Sequence, residues 1–114
     1  GHAVLVFPGL MASDASTKPL RRFLEGKGYV AYGWDHGSNL GPKEGVLDHC
    51  MERLRQIRRK HKRRVSLIGW SLGGIYAREM AKDFPRDVRL VITLGTPYRG
   101  SEFSNSTTRW LATS

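Results

Sequence analysis

The apolar residues of the chain concentrate in four short segments, each bounded by turn residues and typical of a β-strand. The segments are Ala3–Phe7, Tyr29–Trp34, Val65–Ile68 and Val88–Leu94. The first is an unbroken apolar run, as expected of a strand that is buried on both faces. Helical patterns separate the segments, and this alternation predicts an α/β protein with a parallel sheet of about four strands and right-handed crossover helices.

Apolar residues at helical spacing predict three helices. The first is expected to begin at Ser16 or Thr17, with Pro19 in its first turn. Its inner face is expected to consist of three side chains: Leu20, Phe23 and Leu24. The second is expected to begin at Pro42, with these apolar positions: Leu47, Cys50 or Met51, Leu54 and Ile57. The third, which Pro85 ends, carries Ile75, Tyr76, Met80 and Phe84.

The turn between the third strand and the third helix has the sequence Gly69-Trp70-Ser71-Leu72-Gly73-Gly74. A serine in G-x-S-x-G between a strand and a helix is typical of a nucleophile elbow. The turn must be strained to expose the hydroxyl of Ser71, so we expect a positive φ there. Gly69 and Gly73 lack the Cβ atoms that would collide across it. The first helical amides can then stabilise an oxyanion beside the hydroxyl.

Two other interpretations of this turn are open. It can be a tight packing turn in an α/β protein without catalytic function. A dinucleotide-binding loop is disfavoured, because Ser71 stands where G-x-G-x-x-G needs its second glycine.

Four loops follow the predicted strands: Pro8–Met11, Asp35–Gly41, the turn at Ser71, and Thr96–Gly100. The reactive site of a parallel α/β sheet lies at the carboxyl ends of its strands. We therefore expect these loops to converge on one crevice.

The chain has 114 residues, enough for one domain with a modest core, and a formal net charge of +9. Eight Lys/Arg and no acidic residue lie between Arg53 and Arg64, so one predicted helix end supplies most of the excess charge. We interpret it as a solvated helix end, with a transient contact to an acidic or membrane surface as the alternative. No aromatic residues interleave with the cations, so no nucleic-acid partner is expected. The single cysteine, Cys50, is expected to be a packed thiol.

No apolar run approaches the ~20 residues of a membrane span, so no transmembrane segment is expected. No basic-then-apolar leader is present either, which favours a cytoplasmic location. Since the chain opens almost directly into a strand without an initial methionine, we expect that sequence upstream has been removed.

Three motifs together resemble the α/β-hydrolase superfamily, and within it the bacterial lipase and esterase branch. They are Phe7-Pro8-Gly9-Leu10, the elbow, and Ile92-Thr93-Leu94-Gly95-Thr96-Pro97-Tyr98-Arg99-Gly100. The resemblance spans nearly the whole chain, from the family's third strand through its sixth. It implies a partial α/β-hydrolase fold with the strands in the spatial order second, first, third, fourth.

The resemblance also implies roles for individual residues. Ser71 would be the nucleophile, and the N–H groups of Leu10 and Leu72 would form the oxyanion hole. Met11, Trp70 and Tyr98 would contact a small ester or lipid substrate, with no cofactor and no metal ion. Two positions depart from the family: Pro8 replaces a histidine that braces the oxyanion loop, and Tyr98 replaces a histidine that shapes the pocket.

The histidine that should activate the serine is missing. The family places an acid and then a histidine after the nucleophile, whereas all four histidines here precede Ser71: His2, His36, His49 and His61. Only His36 lies in a loop at the active edge. We expect it to cap a turn or contact substrate, and a role as the base is the disfavoured alternative. Asp83 and Asp87 fall at the wrong end of the third helix, and Glu102 is a poor candidate for the acid.

The simplest interpretation is a fragment of a serine ester hydrolase, with residues 1–100 forming a partial core and 101–114 beginning a cap or lid. The fragment would leave an unpaired strand edge and exposed apolar surface. The alternative is a non-catalytic binding or scaffold domain of the same fold. The sequence leaves the oligomeric state open.

Overall fold

A computed structural model of the chain describes residues 1–96, which alternate strand and helix as the sequence predicts. The strands are β1 (Ala3–Phe7), β2 (Val30–Gly33), β3 (Val65–Trp70) and β4 (Val88–Leu94). The helices are α1 (Asp14–Gly26), α2 (Val46–His61) and α3 (Leu72–Asp83). The predicted α/β class is therefore confirmed. The predicted cap or lid segment 101–114, together with Tyr98 and Glu102, lies outside the described residues.

The four strands form one parallel sheet in the order β2-β1-β3-β4, which is the predicted order. Val6 of β1 pairs with Ile68 of β3, and Ile68 pairs with Ile92 of β4. Because all strands run in one direction, their carboxyl ends meet at one edge of the sheet. The chain segments that follow Phe7, Gly33, Trp70 and Leu94 therefore start from that edge.

The core divides along the alternation of side chains across the sheet. Odd-numbered residues of β1, including Leu5 and Phe7, pack with α2 and α3 in the larger cluster. Val4 and Val6 face the other side, where Leu20 and Leu24 of α1 cover them. The two central strands are thus buried on both faces, as the sequence indicates.

Helix α1 begins at Asp14, with Ser13 at its N-cap, so the predicted start at Ser16 or Thr17 is wrong. The hydroxyl of Ser16 donates to the carbonyl of Ser13 at 2.7 Å, and that of Thr17 donates to the carbonyl of Asp14 at 3.2 Å. Both side chains therefore bond backward within the helix instead of capping it. Pro19 consequently lies in the second turn.

Phe23 does not belong to the inner face of α1, contrary to the prediction. The face that α1 turns to the sheet contains the buried Thr17 and the partly buried Leu20 and Leu24, whereas Phe23 is 61% exposed. The ammonium group of Lys27 lies 5.6 Å from the centre of the Phe23 ring. The phenyl ring is thus a surface group that a cation covers in part.

Helix α2 begins at Val46 and not at Pro42. Gly45 has φ 87°, a left-handed conformation that a right-handed helix cannot continue through. The buried stripe of α2 consists of Val46, Cys50, Leu54 and Ile57. Cys50 is therefore the buried one of the two predicted alternatives, and Met51 is half-buried.

The predicted exposed apolar surface occurs along β4, which pairs only with β3 among the residues that the structure describes. Leu90 and Ile92 are 41% and 45% exposed and line a shallow cleft of about 110 Å³. None of the helices within residues 1–96 combines the length and the apolar character that crossing a bilayer requires.

Candidate active site

Ser71 connects β3 to α3 with φ 53° and ψ −120°. The predicted positive φ is confirmed, and serine adopts this region only under strain. The residue stands at the N-cap of α3, yet its hydroxyl does not cap the helix. No hydrogen bond engages that hydroxyl within residues 1–96. The turn therefore presents an uncommitted hydroxyl at the carboxyl edge of the sheet.

Glycines permit this turn because the backbone crosses itself at close range. A Cβ on Gly69 would collide with the carbonyl of Gly73 and the amide nitrogen of Gly74. A Cβ on Gly73 would collide with the carbonyls of Phe7 and Pro8 at the end of β1. The elbow thus packs against itself and against the first loop, as the spacing of its glycines predicts.

The end of β4 holds the elbow in place. The amide of Ser71 donates to the carbonyl of Leu94 at 2.8 Å, and the hydroxyl of Thr96 donates to the carbonyl of Ser71 at 2.6 Å. A Cβ on Gly74 would occupy the position of the Thr96 hydroxyl. The third glycine of the elbow and the threonine of the G-T-P motif are therefore matched to each other.

Residues 9–12 form a tight turn beside Ser71. The amide of Ala12 donates to the carbonyl of Gly9 at 3.1 Å, and Met11 has φ 66° at the third position of the turn. A Cβ on Gly9 would lie 3.4 Å from the Cβ of Ser71, so the two backbones are in contact. The amide of Leu10, at the second position, has no hydrogen-bond acceptor among the described residues.

A second free donor lies at the start of α3. Leu72 is the first residue of that helix, so its N–H has no acceptor inside the helix. Leu72 directly follows Ser71, and Leu10 lines the same cleft as Ser71, so the two amides are backbone donors close to the serine. Their role as an oxyanion hole stays a prediction.

An open cleft of about 290 Å³ contains the Ser71 side chain. Trp70 and Leu10, which are 51% and 57% exposed, belong to its lining. Ser16 and Thr17 at the start of α1 also line it, although the sequence did not single them out for the site. Met11 is 70% exposed and lies outside the lining, and Tyr98 lies outside the described residues.

The loop 35–41 does not line this cleft, so the expectation of a single crevice is wrong for this loop. Trp34, His36 and Leu40 line a separate cleft of about 210 Å³. The loop is diverted because the carboxylate of Asp14 accepts hydrogen bonds from the amides of Trp34 and Asp35, at 3.0 and 2.9 Å.

The four histidines of the chain all lie away from Ser71 and contact other groups. His36 stacks on His49 with 4.1 Å between ring centroids, and Nε2 of His49 lies 2.6 Å from the carbonyl oxygen of Trp34. Nε2 of His61 is hydrogen-bonded to the hydroxyl of Tyr32 at 2.8 Å, and His2 precedes β1 at the opposite edge of the sheet. None of them contacts Ser71.

Three groups within residues 1–96 have a perturbed pKa, and all lie outside the cleft: His2, His36 and Cys50. Burial lowers the pKa of His36, and the neighbouring His49 lowers it further, while Asp35 acts in the opposite sense. Burial raises the pKa of the Cys50 thiol to about 12. The thiol is therefore protonated at neutral pH and is a packed group, as predicted. Within residues 1–96, no three His, Cys, Asp or Glu side chains cluster as metal ligands would.

Asn39, which supports the loop beside Ser71 without lining the cleft, is another residue that the sequence did not single out. It is fully buried, its backbone is hydrogen-bonded to the turn 9–12, and its side chain donates to the carbonyl of Pro8 just before that turn. An asparagine in a glycine-rich loop is usually an exposed turn residue, so its sequence position predicts exposure and gives no sign of burial.

Comparisons with known proteins agree with this fold. The structure superposes on Bacillus licheniformis lipase BlEst2 in its propeptide form with a TM-score of 0.66 and 25% identity, over 97% of this chain and 27% of that one. The mature form of the same lipase gives a TM-score of 0.65 and 25% identity, over 96% of this chain and 46% of that one.

Two curated relatives match a shorter stretch. They are triacylglycerol lipases of Pseudarthrobacter phenanthrenivorans and Burkholderia plantarii, each 50% identical over 42 residues. That stretch is 37% of this chain and only 13% and 12% of theirs.

Residues 31–110 match the family described as the PGAP1-like alpha/beta domain. The match includes α2, the elbow and β4, and it extends over more than half of the 114 residues. The chain belongs to the PGAP1-like alpha/beta domain family.

Proposed function

We propose that the chain carries the nucleophile and the oxyanion hole of a serine hydrolase acting on carboxylic esters. The observation that carries this proposal is the backbone of Ser71, strained at φ 53°, whose hydroxyl has no hydrogen-bond partner within residues 1–96 and lines an open cleft. Strain of this kind persists only where the surrounding structure enforces it, and it is concentrated at functional sites. A packing turn needs no serine that lines a cleft at the strained position.

In the proposed reaction, the Ser71 hydroxyl oxygen attacks the ester carbonyl carbon and its proton passes to a histidine. The amides of Leu10 and Leu72 donate to the oxyanion that forms. The histidine returns the proton to the departing alcohol, leaving an acyl group on Ser71, and water then releases the acid by the same steps.

We place the acid and the histidine outside the given residues. None of the four histidines contacts Ser71, and a serine hydroxyl is a poor nucleophile without an adjacent base. Asp87 is occupied by an ion pair with Arg58 at 3.5 Å. His36 belongs to the separate cleft beside Trp34 and is not assigned as the base.

We propose an acyl lipid or a similar apolar ester as the substrate class. Leu10 and Trp70 give the cleft an apolar rim that half-faces solvent, as binding an acyl chain requires. The relatives named as triacylglycerol lipases agree with such a substrate.

Ester turnover tests the proposal. The 114-residue chain should hydrolyse p-nitrophenyl esters only slightly faster than its Ser71→Ala variant, because donors without a base leave little catalysis. A longer natural chain that includes a histidine after further strands should show turnover that Ser71→Ala abolishes. Equal turnover by the longer chain and its Ser71→Ala variant would refute the nucleophile.

A second function is favoured by the same histidine geometry. A PGAP1-like domain whose serine meets no base in any natural form of the protein would be a binding or scaffold domain. It would bind apolar esters in the cleft without turning them over. Ester binding in a calorimeter, without Ser71-dependent product, would support this function.

A further inference from the structure

Asn39 takes part in five hydrogen bonds behind the cleft. It is completely buried, and its Nδ2 donates to the carbonyl of Pro8 at 2.9 Å. Its backbone amide donates to the carbonyl of Ala12 at 2.7 Å, and its carbonyl accepts from the amide of Met11 at 2.6 Å. These bonds engage the loop 8–12 on both sides of Leu10.

Those bonds determine where the Leu10 amide points. Peptide planarity sets the N–H of Leu10 opposite to the carbonyl of Gly9, which accepts from Ala12 within the turn. Asn39 bonds to Pro8 before that peptide and to Met11 and Ala12 after it. Among residues 1–96 the Leu10 N–H therefore has no acceptor, while the peptides around it are held.

The same side chain reaches the elbow helix. The hydroxyl of Tyr76 donates to Oδ1 of Asn39 at 2.9 Å, and the amide of Gly41 donates to the same oxygen at 3.1 Å. Tyr76 is fully buried in α3, with its ring edge-on to Phe7 at 6.4 Å and stacked on Trp34 at 6.1 Å. Because α3 begins with Leu72, this contact connects the helix of one free amide to the loop of the other.

We propose that Asn39 is a positioning residue for the reaction, fixing the Leu10 amide relative to the Leu72 amide. The proposal rests on the proposed function, since it assigns both amides to the oxyanion. Its physical basis is that the two donors belong to different elements, so their separation depends on what joins those elements. The side-chain amide of Asn39 joins them through Pro8 on one side and Tyr76 on the other.

Displacing the Leu10 amide should weaken the binding of the transition state more than the binding of the substrate. An oxyanion donor displaced by about 1 Å can cost on the order of 100-fold in rate, while ground-state binding changes little. Asn39→Ala and Asn39→Asp should therefore lower the Ser71-dependent kcat by about 10- to 100-fold and change KM by less than about 3-fold. Asn39→Asp keeps the size of the side chain and places an oxygen against the Pro8 carbonyl, where Nδ2 now donates.

Tyr76→Phe supplies a milder test in the full-length protein. It removes only the hydroxyl that connects α3 to Asn39, so kcat should fall by about 3- to 10-fold with KM preserved. Ile57→Val is the control, because it weakens the core cluster through a residue that does not line the cleft. It should leave kcat unchanged.

Backbone hydrogen exchange gives a readout that needs no catalysis. The Met11 amide, which donates to Asn39, should exchange at least 10-fold faster in Asn39→Ala than in Ile57→Val, relative to core amides such as Leu67. If Asn39→Ala fails to fold, Asn39→Asp and Tyr76→Phe provide the same comparison.

The outcomes separate the two proposals. A fall in kcat with preserved KM and faster Met11 exchange supports the positioning role. Asn39 variants that fold and keep kcat within about 2-fold of the parent would overturn it, as would an equal loss in Ile57→Val. If the parent protein shows no Ser71-dependent turnover, the proposed function fails. If the Met11 amide then also exchanges equally fast in Asn39→Ala and in Ile57→Val, the positioning role of Asn39 is overturned as well.

Discussion

The hydroxyl of Thr96 donates to the carbonyl of Ser71 at 2.6 Å, across 25 residues of sequence. The same carbonyl also accepts from the amide of Gly74 at 2.9 Å. The strained peptide after Ser71 is therefore held both from within α3 and from the end of β4. The two glycine-rich motifs of the chain thus form a single structural unit.

Replacing Thr96 should loosen the elbow without unfolding the protein. Thr96→Val keeps the shape of the side chain and removes the donor, while Gly74 still satisfies the Ser71 carbonyl. We expect the free energy of unfolding to fall by about 1 kcal/mol in a denaturant titration. Thr96→Ser, which keeps the hydroxyl, is the control, and an equal loss in both variants would show that the hydrogen bond is not the cause.

Adding even one methyl group at a glycine of the elbow should destabilise the protein. In Gly69→Ala the new Cβ meets only backbone atoms of Gly73 and Gly74, which cannot move without opening α3. We expect a loss of about 2–3 kcal/mol in the free energy of unfolding. Gly26→Ala, where nothing lies within 4 Å of the new Cβ, should be neutral or slightly stabilising. Equal effects would contradict the close approach across the turn.

Cys50 should make the protein less stable in base. Its pKa is raised from 9.0 to about 12 by burial, so above pH 9 the unfolded chain loses a proton that the folded chain keeps. The free energy of unfolding should then fall by about 1.4 kcal/mol for each pH unit between about 9 and 12. Subtracting the pH profile of the unfolding free energy of Cys50→Ala removes the contribution of the other titrating groups. A difference that is flat across this window would contradict the buried thiol.

His36 should be dispensable for turnover. It stacks on His49 and lines the cleft beside Trp34, away from the serine. In any natural form of the protein with Ser71-dependent turnover, His36→Ala should keep most of kcat, while Ser71→Ala should lose it. A loss on His36→Ala comparable to that on Ser71→Ala would make His36 the base.

Much of the fold follows from local patterns. Val88–Leu94 is predicted residue for residue, because Pro85 ends one helix and the G-T-P motif begins the next loop. The conformation of Ser71 follows from glycine spacing, since few other sequences tolerate that turn. The strand order needed the family resemblance, because periodicity carries no information about which strands are neighbours.

The errors arose where tertiary contacts override local signals. Pro42 looks like a helix start, but the left-handed Gly45 delays α2 to Val46. The sequence predicts that the loop 35–41 lines the crevice. Hydrogen bonds to Asp14 and to the turn 9–12 instead hold its backbone behind that turn. The role of Asn39 depends on partners at positions 8, 12 and 76, and no local pattern could reveal that combination.

Covalent labelling of Ser71 by a fluorophosphonate tests the central claim most directly. The longest natural form of the protein should be treated with the probe, and the modified peptide should be identified by mass spectrometry beside the Ser71→Ala and Thr96→Ser variants. The account predicts rapid labelling on the peptide that contains Ser71, retained in Thr96→Ser and absent from Ser71→Ala. Labelling at another residue, or none in a folded protein of natural length, would contradict the assignment of Ser71 as a nucleophile.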